Sequence, residues 1–422
     1  MLIQKHNKFK RNFLNILDAL MTHKFMGVVL FLVVIWIIFQ ATFGIGYYPM
    51  LWIEKLVFIS ENAISAYFPE SVFKSLLLYG ILKGVGGVVI FLPNIVILFL
   101  LLSLMEETGY MARVTLVMDK IMKHIGLSGK SFISLIMGFG CNVPAIMAAQ
   151  SIENKNSRLI TILINPLMSC GARFTVYVLF ISAFFPDNSG TILFFLYLFS
   201  VIIAILLALI LKKFVFKMAY ETYNKDLPLL QIPSIRRIFL SIWQNSVLFL
   251  KKITGAILIA SVIIWLLMYL PERNLESKNI ENSYIGMLGK FIEPVISPLG
   301  FDWRMGISLI SGIAAKETIT GTLSELYQTA KPGNNDKAGL IRNLKSQVYT
   351  SGAKKGQNIF TPLVALSFIF FVSIYTPCIA TITSIRKTTK SSKWTFFVIA
   401  YTTIIAWLVA FAVYKIGLLI SL

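Results

Sequence analysis

Three cysteines carry the most chemistry in this sequence, and each stands where glycine or proline would break a helix. Cys141 lies in GFGCNVP, Cys170 in NPLMSCGAR and Cys378 in YTPCIA. A thiolate is a soft ligand suited to iron, copper or zinc. A helix break beside it frees backbone carbonyls, which are further ligands, and Asn142, Asn165 and Ser169 add neutral oxygens at two of the breaks. Carboxylates stand where a divalent cation would meet the chain: Glu106 and Glu107 end one apolar run, and Glu317 follows Lys316 in the middle of another. Acidic groups at the mouth of a path attract such ions. Met105, Met111, Met147 and Met168 are soft thioethers close by in sequence. Each type also has a plain packing role. Cysteine serves as a small buried hydrophobe, methionine fills cores, and Lys316 can simply neutralise Glu317. Three breaks out of three holding a thiol favour the ligand reading.

The same residues exclude other chemistries. The cysteines are odd in number, widely spaced and set in apolar stretches, which argues against a disulfide framework. The string GLSGKS at 126–131 looks like a phosphate loop, yet His124 stands where G-x-x-x-x-G-K needs its first glycine. No strand precedes it. No catalytic residue and no permanently bound cofactor is expected, and the sequence reads as that of a non-enzyme.

The elements that position these groups are membrane helices. Apolar residues make up 57% of the chain and charged ones 14%, with a mean hydropathy of +0.77. Soluble domains sit at about 45–50% and about 25%. Runs at 25–43, 193–211, 253–270 and 394–416 approach or exceed the roughly 20 residues that span a bilayer. Further runs at 81–105, 159–185 and 359–385 bring the expectation to an all-α, polytopic protein of seven to nine membrane segments. Two more, 132–149 and 306–323, are interrupted and read as broken or re-entrant. The net charge of +20 falls in short loops between apolar runs, the pattern of cytoplasmic loops rather than of a nucleic-acid surface. Lys5, Lys8, Lys10, Arg11 and Lys24 precede the first run with no cleavage site after it. That predicts a retained anchor with its N-terminus in the cytoplasm, the chain crossing the membrane many times.

The organisation predicted from these patterns has five parts. Residues 1–24 form a basic cytoplasmic segment, and 25–80 a first transmembrane helix with an external loop marked by Tyr47, Tyr48, Trp52, Glu54, Glu61 and Glu70. Residues 81–211 form a first repeat, 212–250 a cytoplasmic linker, and 251–422 a second repeat. The repeat shows in register. Tyr110 and Tyr284 differ by 174 positions (284 − 110), as do Gly126 and Gly300, Gly138 and Gly312, and the tripeptides Ser134-Leu135-Ile136 and Ser308-Leu309-Ile310. GFGCNVPAI thereby overlies GIAAKETIT, and Cys170 corresponds to Cys378 once a longer polar loop is allowed for. Lys130, Lys155 and Arg158 flank 132–149, so that segment enters from the cytoplasm and returns, while its counterpart enters from outside. The result is an inverted repeat with a site at the membrane midplane. This arrangement leaves Lys331, Lys337, Arg342, Lys345, Lys354 and Lys355 outside; letting 306–323 span fully instead places Arg386, Lys387, Lys390 and Lys393 there.

Between residues 84 and 180 the strings GGVVIFLP, EETGYMAR, GLSGKSF, GFGCNVPAIM and LINPLMSCGAR closely resemble the membrane part of the FeoB ferrous-iron transporters. The second half shows the partner strings AAKETITGTL and YTPCIA, and the likeness runs from about residue 24 to the end. In that family the two broken regions are called gate domains, and cysteines matching Cys141, Cys170 and Cys378 are proposed metal contacts. FeoB proteins usually begin with a cytoplasmic GTPase domain and a helical spacer, whereas here only residues 1–24 precede the first apolar run. The resemblance therefore implies transport of Fe²⁺ as substrate across the bacterial inner membrane, with a GTPase supplied by a separate chain, a small accessory protein, or both. It is compatible with a homo-oligomer and offers no nucleic-acid partner. Two other readings stay open: a permease of the same fold for Mn²⁺, Zn²⁺ or a small solute, and a non-transporting paralogue.

Overall fold

Helices account for nearly all of the described residues in a computed structural model, which covers residues 18, 20–23, 25–69, 71–215, 234–271, 282–327, 337–348 and 356–420. The basic segment 1–24, most of the polar loop around Lys331 and Lys354, and part of the 212–250 linker lie largely outside them. Among the described residues there is no strand, only an isolated bridge between Val348 and Asn358. Four helical stretches are long and apolar enough to cross a membrane: Lys155–Phe184, Ser189–Phe214, Pro362–Thr389 and Ser392–Ile420. A fifth arises if the bent pair Leu92–Glu107 and Tyr110–Ile125, turned by 82°, counts as one.

The chain divides into two compact units. The first comprises residues 1–52, 90–165 and 204–251. It opens with α1 (Met26–Gln40), a π-helical turn at Ala41–Ile45, and the start of α2 (Gly46–Tyr67). The segment expected as an external loop is thus largely helical. Its aromatic and acidic residues do not oppose a helix, the π turn takes up one extra residue without interrupting the winding, and the stop comes only at Pro69. The rest of α2 and α3 (Val72–Ser75) fall in the second unit, and the first continues with most of α4 (Lys83–Glu107), which carries Pro93 inside it, then α5 (Tyr110–Ile125), α6 (Gly129–Gly140), α7 (Asn142–Ala148) and α8 (Lys155–Ile164).

Polar side chains fasten this first unit at its turns. Buried Arg113 donates from Nε to Asp18 and from Nη1 to the Gly109 carbonyl at 2.8 Å. Asp119 accepts from the Gly129 amide at 2.9 Å, and Ser157 Oγ accepts from the Ser128 amide at 3.1 Å. The amides of GLSGKS that a phosphate would need are therefore occupied by a carboxylate and a hydroxyl.

The second unit comprises residues 53–89, 166–203 and 252–422. It holds α9 (Gly171–Phe184), most of α10 (Ser189–Phe214), the end of α11 (Ile235–Tyr269), α12 (Tyr284–Ile296), α13 (Trp303–Ala314) and α14 (Thr318–Leu326). After α15 (Lys337–Ser346) follow α16 (Pro362–Ile374), α17 (Ile379–Thr389) and α18 (Ser392–Ile420). Its core is aromatic: Phe368 packs on Phe180 at 4.9 Å and on Phe301 at 5.4 Å, and Tyr327 meets Phe360 at 5.1 Å. Asp302 anchors the start of α13. Its Oδ1 accepts from the Met305 amide at 3.0 Å and from Tyr327 OH at 2.6 Å.

Local geometry recurs at the spacing seen in the sequence. α5 and α12 begin at Tyr110 and Tyr284, and α6 and α13 at Gly129 and Trp303, each 174 positions apart. Gly126 (φ +81°) and Gly300 (φ +85°) hold the same left-handed turn, which a side chain with a Cβ adopts only under strain. Cys141 (φ −155°, ψ 127°) and Ala315 (φ −150°, ψ 137°) interrupt the two hairpins in the same conformation.

Removing the Asp302 anchor deprives α13 of its cap and Tyr327 of its acceptor. Asp302→Ala is expected to cost about 2 kcal/mol, the sum of a lost cap and a lost hydrogen bond. Tyr327→Phe should cost less, and the double variant less than both together. Thermal unfolding of the detergent-solubilised protein measures all three; additive effects would contradict the contact.

Candidate functional site: the helix breaks

Each cysteine stands at the N-cap position of a helix that restarts after a break. Cys141 precedes α7, Cys170 precedes α9 and Cys378 precedes α17, all three in extended conformation and half-buried. The start of a helix presents unpaired amides and the positive end of its dipole, which suits a negatively charged ligand. Just upstream of Cys170 and Cys378 the backbone leaves its helix: a 3₁₀ turn at Asn165–Leu167 in one case, and Tyr375, Thr376 and Pro377 in the other. Such backbone survives at membrane depth only where protein surrounds it. Across the apolar stretches of the two broken spans, 56% and 72% of residues are buried, against 28% in each of the unbroken spans α10 and α18.

Two buried cations take up the carbonyls that these breaks release, both within the second unit. Arg173, fully buried, donates from Nη1 to the carbonyls of Pro166 at 2.9 Å and Met168 at 3.4 Å. From Nη2 it reaches the carbonyl of Tyr375 at 3.2 Å, so one guanidinium joins the break before Cys170 to the break before Cys378. Its Nε has no partner in the structure. Lys316, in the interruption between α13 and α14, donates to the carbonyl of Thr376, and its Nζ lies 3.2 Å from the centroid of the Tyr375 ring. Tyr375 OH in turn donates to the Leu309 carbonyl at 3.4 Å. Cys170 and Cys378 lie close enough to each other and to Lys316 to interact electrostatically. Cys378 Sγ is also 3.2 Å from Thr381 Oγ1. Three chain interruptions thus share one small region that holds two cations and two thiols.

The other residues singled out from the sequence have assorted fates. Ser169 is buried, with its hydroxyl 3.0 Å from Tyr177 OH and 3.2 Å from Ser200 Oγ. Asn142, with its amide turned to suit its surroundings, donates to the Gly138 carbonyl at 3.0 Å and to Asn165 Oδ1 at 3.2 Å. Asn165 Nδ2 in turn donates to the Ser134 carbonyl at 3.0 Å. These polar groups are engaged in holding the breaks. Glu106 is exposed, and Glu107 lies 3.7 Å from Arg237. Glu317 is half-buried beside Lys316, within electrostatic reach of it but not in ion-pair contact. Among the described residues, no three His, Cys, Asp or Glu side chains come together as a metal-binding group. Arg173 and Tyr375 were not anticipated. The signal for Arg173 was there, an arginine inside an apolar run, and ionisable groups at membrane depth are rarely idle.

These features define a polytopic helical membrane protein built on paired, discontinuous helices. The model of the gate family, described as nucleoside recognition, matches residues 88–184 and 250–392, and the model of the ferrous iron transport protein B C terminus matches 193–245. A ferrous iron transport protein A/transporter FeoB fusion protein of Porphyromonas gingivalis is 42% identical over 96% of this chain and 51% of its own length. The Fe(2+) transporter FeoB of Staphylococcus aureus is 39% identical over 97% of the chain and 60% of its own length. That of Campylobacter jejuni is 40% identical over 96% and 66%. The chain belongs to the FeoB family and carries its gate regions. It spans between about half and two thirds of the length of these relatives. No solved structure matches it.

Arg173→Met strips the donors from three carbonyls at once. A buried polar group left unsatisfied costs about 1–3 kcal/mol, partly offset by the removal of a buried charge. A clear fall in melting temperature in detergent is expected, against little change for exposed Lys213→Met. Equal melting temperatures would show that Arg173 does not hold the breaks together.

Proposed function

We propose that the chain moves ferrous iron across the bacterial inner membrane, the metal passing the thiols of Cys141, Cys170 and Cys378. The observation that carries this reading is the pair of helix breaks in the second unit, each ending in a half-buried cysteine at a helix start, with backbone carbonyls beside it that only a side-chain cation holds. A soft donor next to hard oxygens suits a borderline ion such as Fe²⁺. The names of the relatives point the same way. Glu106, Glu107 and Glu317 are then approach groups that concentrate the cation, while Asn142 and Ser169 hold the breaks open at a fixed width. The reading assigns no reaction to the chain. In this reading a GTPase on a separate chain supplies nucleotide hydrolysis, and the fused protein A of the Porphyromonas gingivalis relative supports a small accessory partner.

We further propose an inverted repeat of seven to nine segments with the N-terminus in the cytoplasm. Matching starts, turns and interruptions 174 positions apart support duplication. Opposite orientation of the halves follows from the basic flanks of 132–149. Labelling of single cysteines on a cysteine-free background tests it: Ser60→Cys should react from outside only and Ser234→Cys from inside only. Outside-only labelling at position 234 overturns the scheme.

The description of the gate family as nucleoside recognition favours a second reading, a carrier of small organic solutes. The two part company at the thiols. For iron, Cys170→Ser and Cys378→Ser replace a soft ligand by a weak neutral oxygen at almost constant volume. Each should cut Fe²⁺ uptake under iron limitation by about tenfold or more, the effect of about 1.4 kcal/mol in lost binding, with normal membrane expression. Parental uptake by both serine variants removes the thiols from the path. Uptake of a nucleoside with none of iron would establish the second reading instead.

A further inference from the structure

We propose that Lys316 is a tethered cation that occupies the metal position of the second unit between passages, so that only a divalent ion displaces it. The inference rests on the metal-transport reading above and names the residue that sets its charge selectivity. Lys316 is 3% exposed, and its ammonium sits in what is already a cation site: the Thr376 carbonyl on one side, the face of Tyr375 on the other at 3.2 Å from the ring centroid. Carbonyl oxygens and aromatic faces both bind cations. Among the described residues Lys316 forms no ion pair. The groups within its electrostatic reach are Arg173, Cys378, Cys170 and Glu317. A full charge at this depth is costly unless compensated, and tying two interruptions together would need only a neutral donor. The proposed role uses the charge, which a neutral donor would lack.

The ammonium holds the carbonyl, and lies within electrostatic reach of the two thiols, that a passing metal ion would take. For the ion to bind, the ammonium leaves the Thr376 carbonyl on its flexible stem and the metal takes the vacated oxygen together with a thiol. No covalent bond changes, and the lysine moves as an ammonium throughout. A free monovalent ion carries no more charge than the ammonium and has no tether, so the high local concentration of the linked group defeats it. A divalent ion brings twice the charge to the same ligands. Arg173 is the fixed counterpart, held by three carbonyls where Lys316 is held by one.

Titration of the purified full chain with Co²⁺ under anaerobic conditions tests this, read through thiolate-to-cobalt charge-transfer absorption. Lys316→Met removes the competitor at similar length and should bind Co²⁺ about tenfold tighter or more than the parent. It should also admit K⁺ into proteoliposomes that the parent keeps out. Lys316→Arg keeps the tethered charge and should stay within about threefold of the parent. Lys316→Gln, which retains a donor for Thr376, serves if the methionine variant does not fold, with the same tightening expected. A parent that binds Co²⁺ with neutral variants that bind no tighter overturns the role of Lys316 alone. Absence of Co²⁺ binding in parent and variants alike overturns the metal reading itself, and this inference with it.

Discussion

Backbone carbonyls released inside a membrane must find donors within the protein, because the lipid offers none. This requirement organises the second unit. An unbroken helix satisfies its own backbone and can face lipid on most sides, as α10 and α18 do. A broken one cannot, so the spans around Cys170 and Cys378 are wrapped by other helices. The donors recruited are the two strongest in the side-chain repertoire, a guanidinium and an ammonium. Arg173 offers a planar fork that reaches carbonyls from two different interruptions, which a point charge cannot do. Lys316 fits the complementary niche, a single carbonyl above an aromatic ring.

Chemistry and stability therefore draw on the same atoms. In the proposed path the ion meets the carbonyls and thiols of the irregular stretches, and of the cations that hold those carbonyls Lys316 lies within electrostatic reach of the thiols. In the first unit the problem is met without charge. Ser134 donates to the Ala145 carbonyl across the Cys141 break, and Asn142 and Asn165 close the ring through Gly138 and Ser134. The two hairpins share a backbone conformation at their interruption, and a hydroxyl helps to mend each: Ser134 in one and Thr318, which donates to the Ala315 carbonyl at 2.7 Å, in the other.

The positions of the breaks were legible in the sequence because glycine and proline act locally. GFGC and YTPC announce an interruption whatever surrounds them, and the backbone of Cys141 and Ala315 departs from helix at the register the repeat requires. The helix at Gly46–Tyr67 was not legible, since aromatic and acidic residues at an interface suit a loop and a helix equally. Hydrogen-bond partners were the least accessible. Ser169 and Asn142 read as oxygen donors because sequence names the group but not its neighbours: the Ser169 hydroxyl lies against Tyr177 and Ser200, and the Asn142 amide nitrogen donates to Asn165 and Gly138. Lys316 drew notice for its neighbour Glu317, whereas its contacts are with Thr376 and Tyr375, 60 and 59 positions further on. Arg173 was hidden in plain view within an apolar run, its partner lying in the other half of the chain.

That last separation has a consequence for biosynthesis. Arg173 and Tyr375 are 202 residues apart. At about 5–20 residues per second of synthesis, the arginine enters the membrane roughly 10–40 s before its distant acceptor exists. During that interval the guanidinium has only the carbonyls of its own interruption, Pro166 and Met168, and whatever water or insertion machinery stands beside the nascent segment. The first broken span is therefore a provisional guest of the bilayer, held at a wet boundary rather than released into lipid. Its final placement awaits a late-arriving stretch of the same polypeptide, the residues around Tyr375 that close over Arg173.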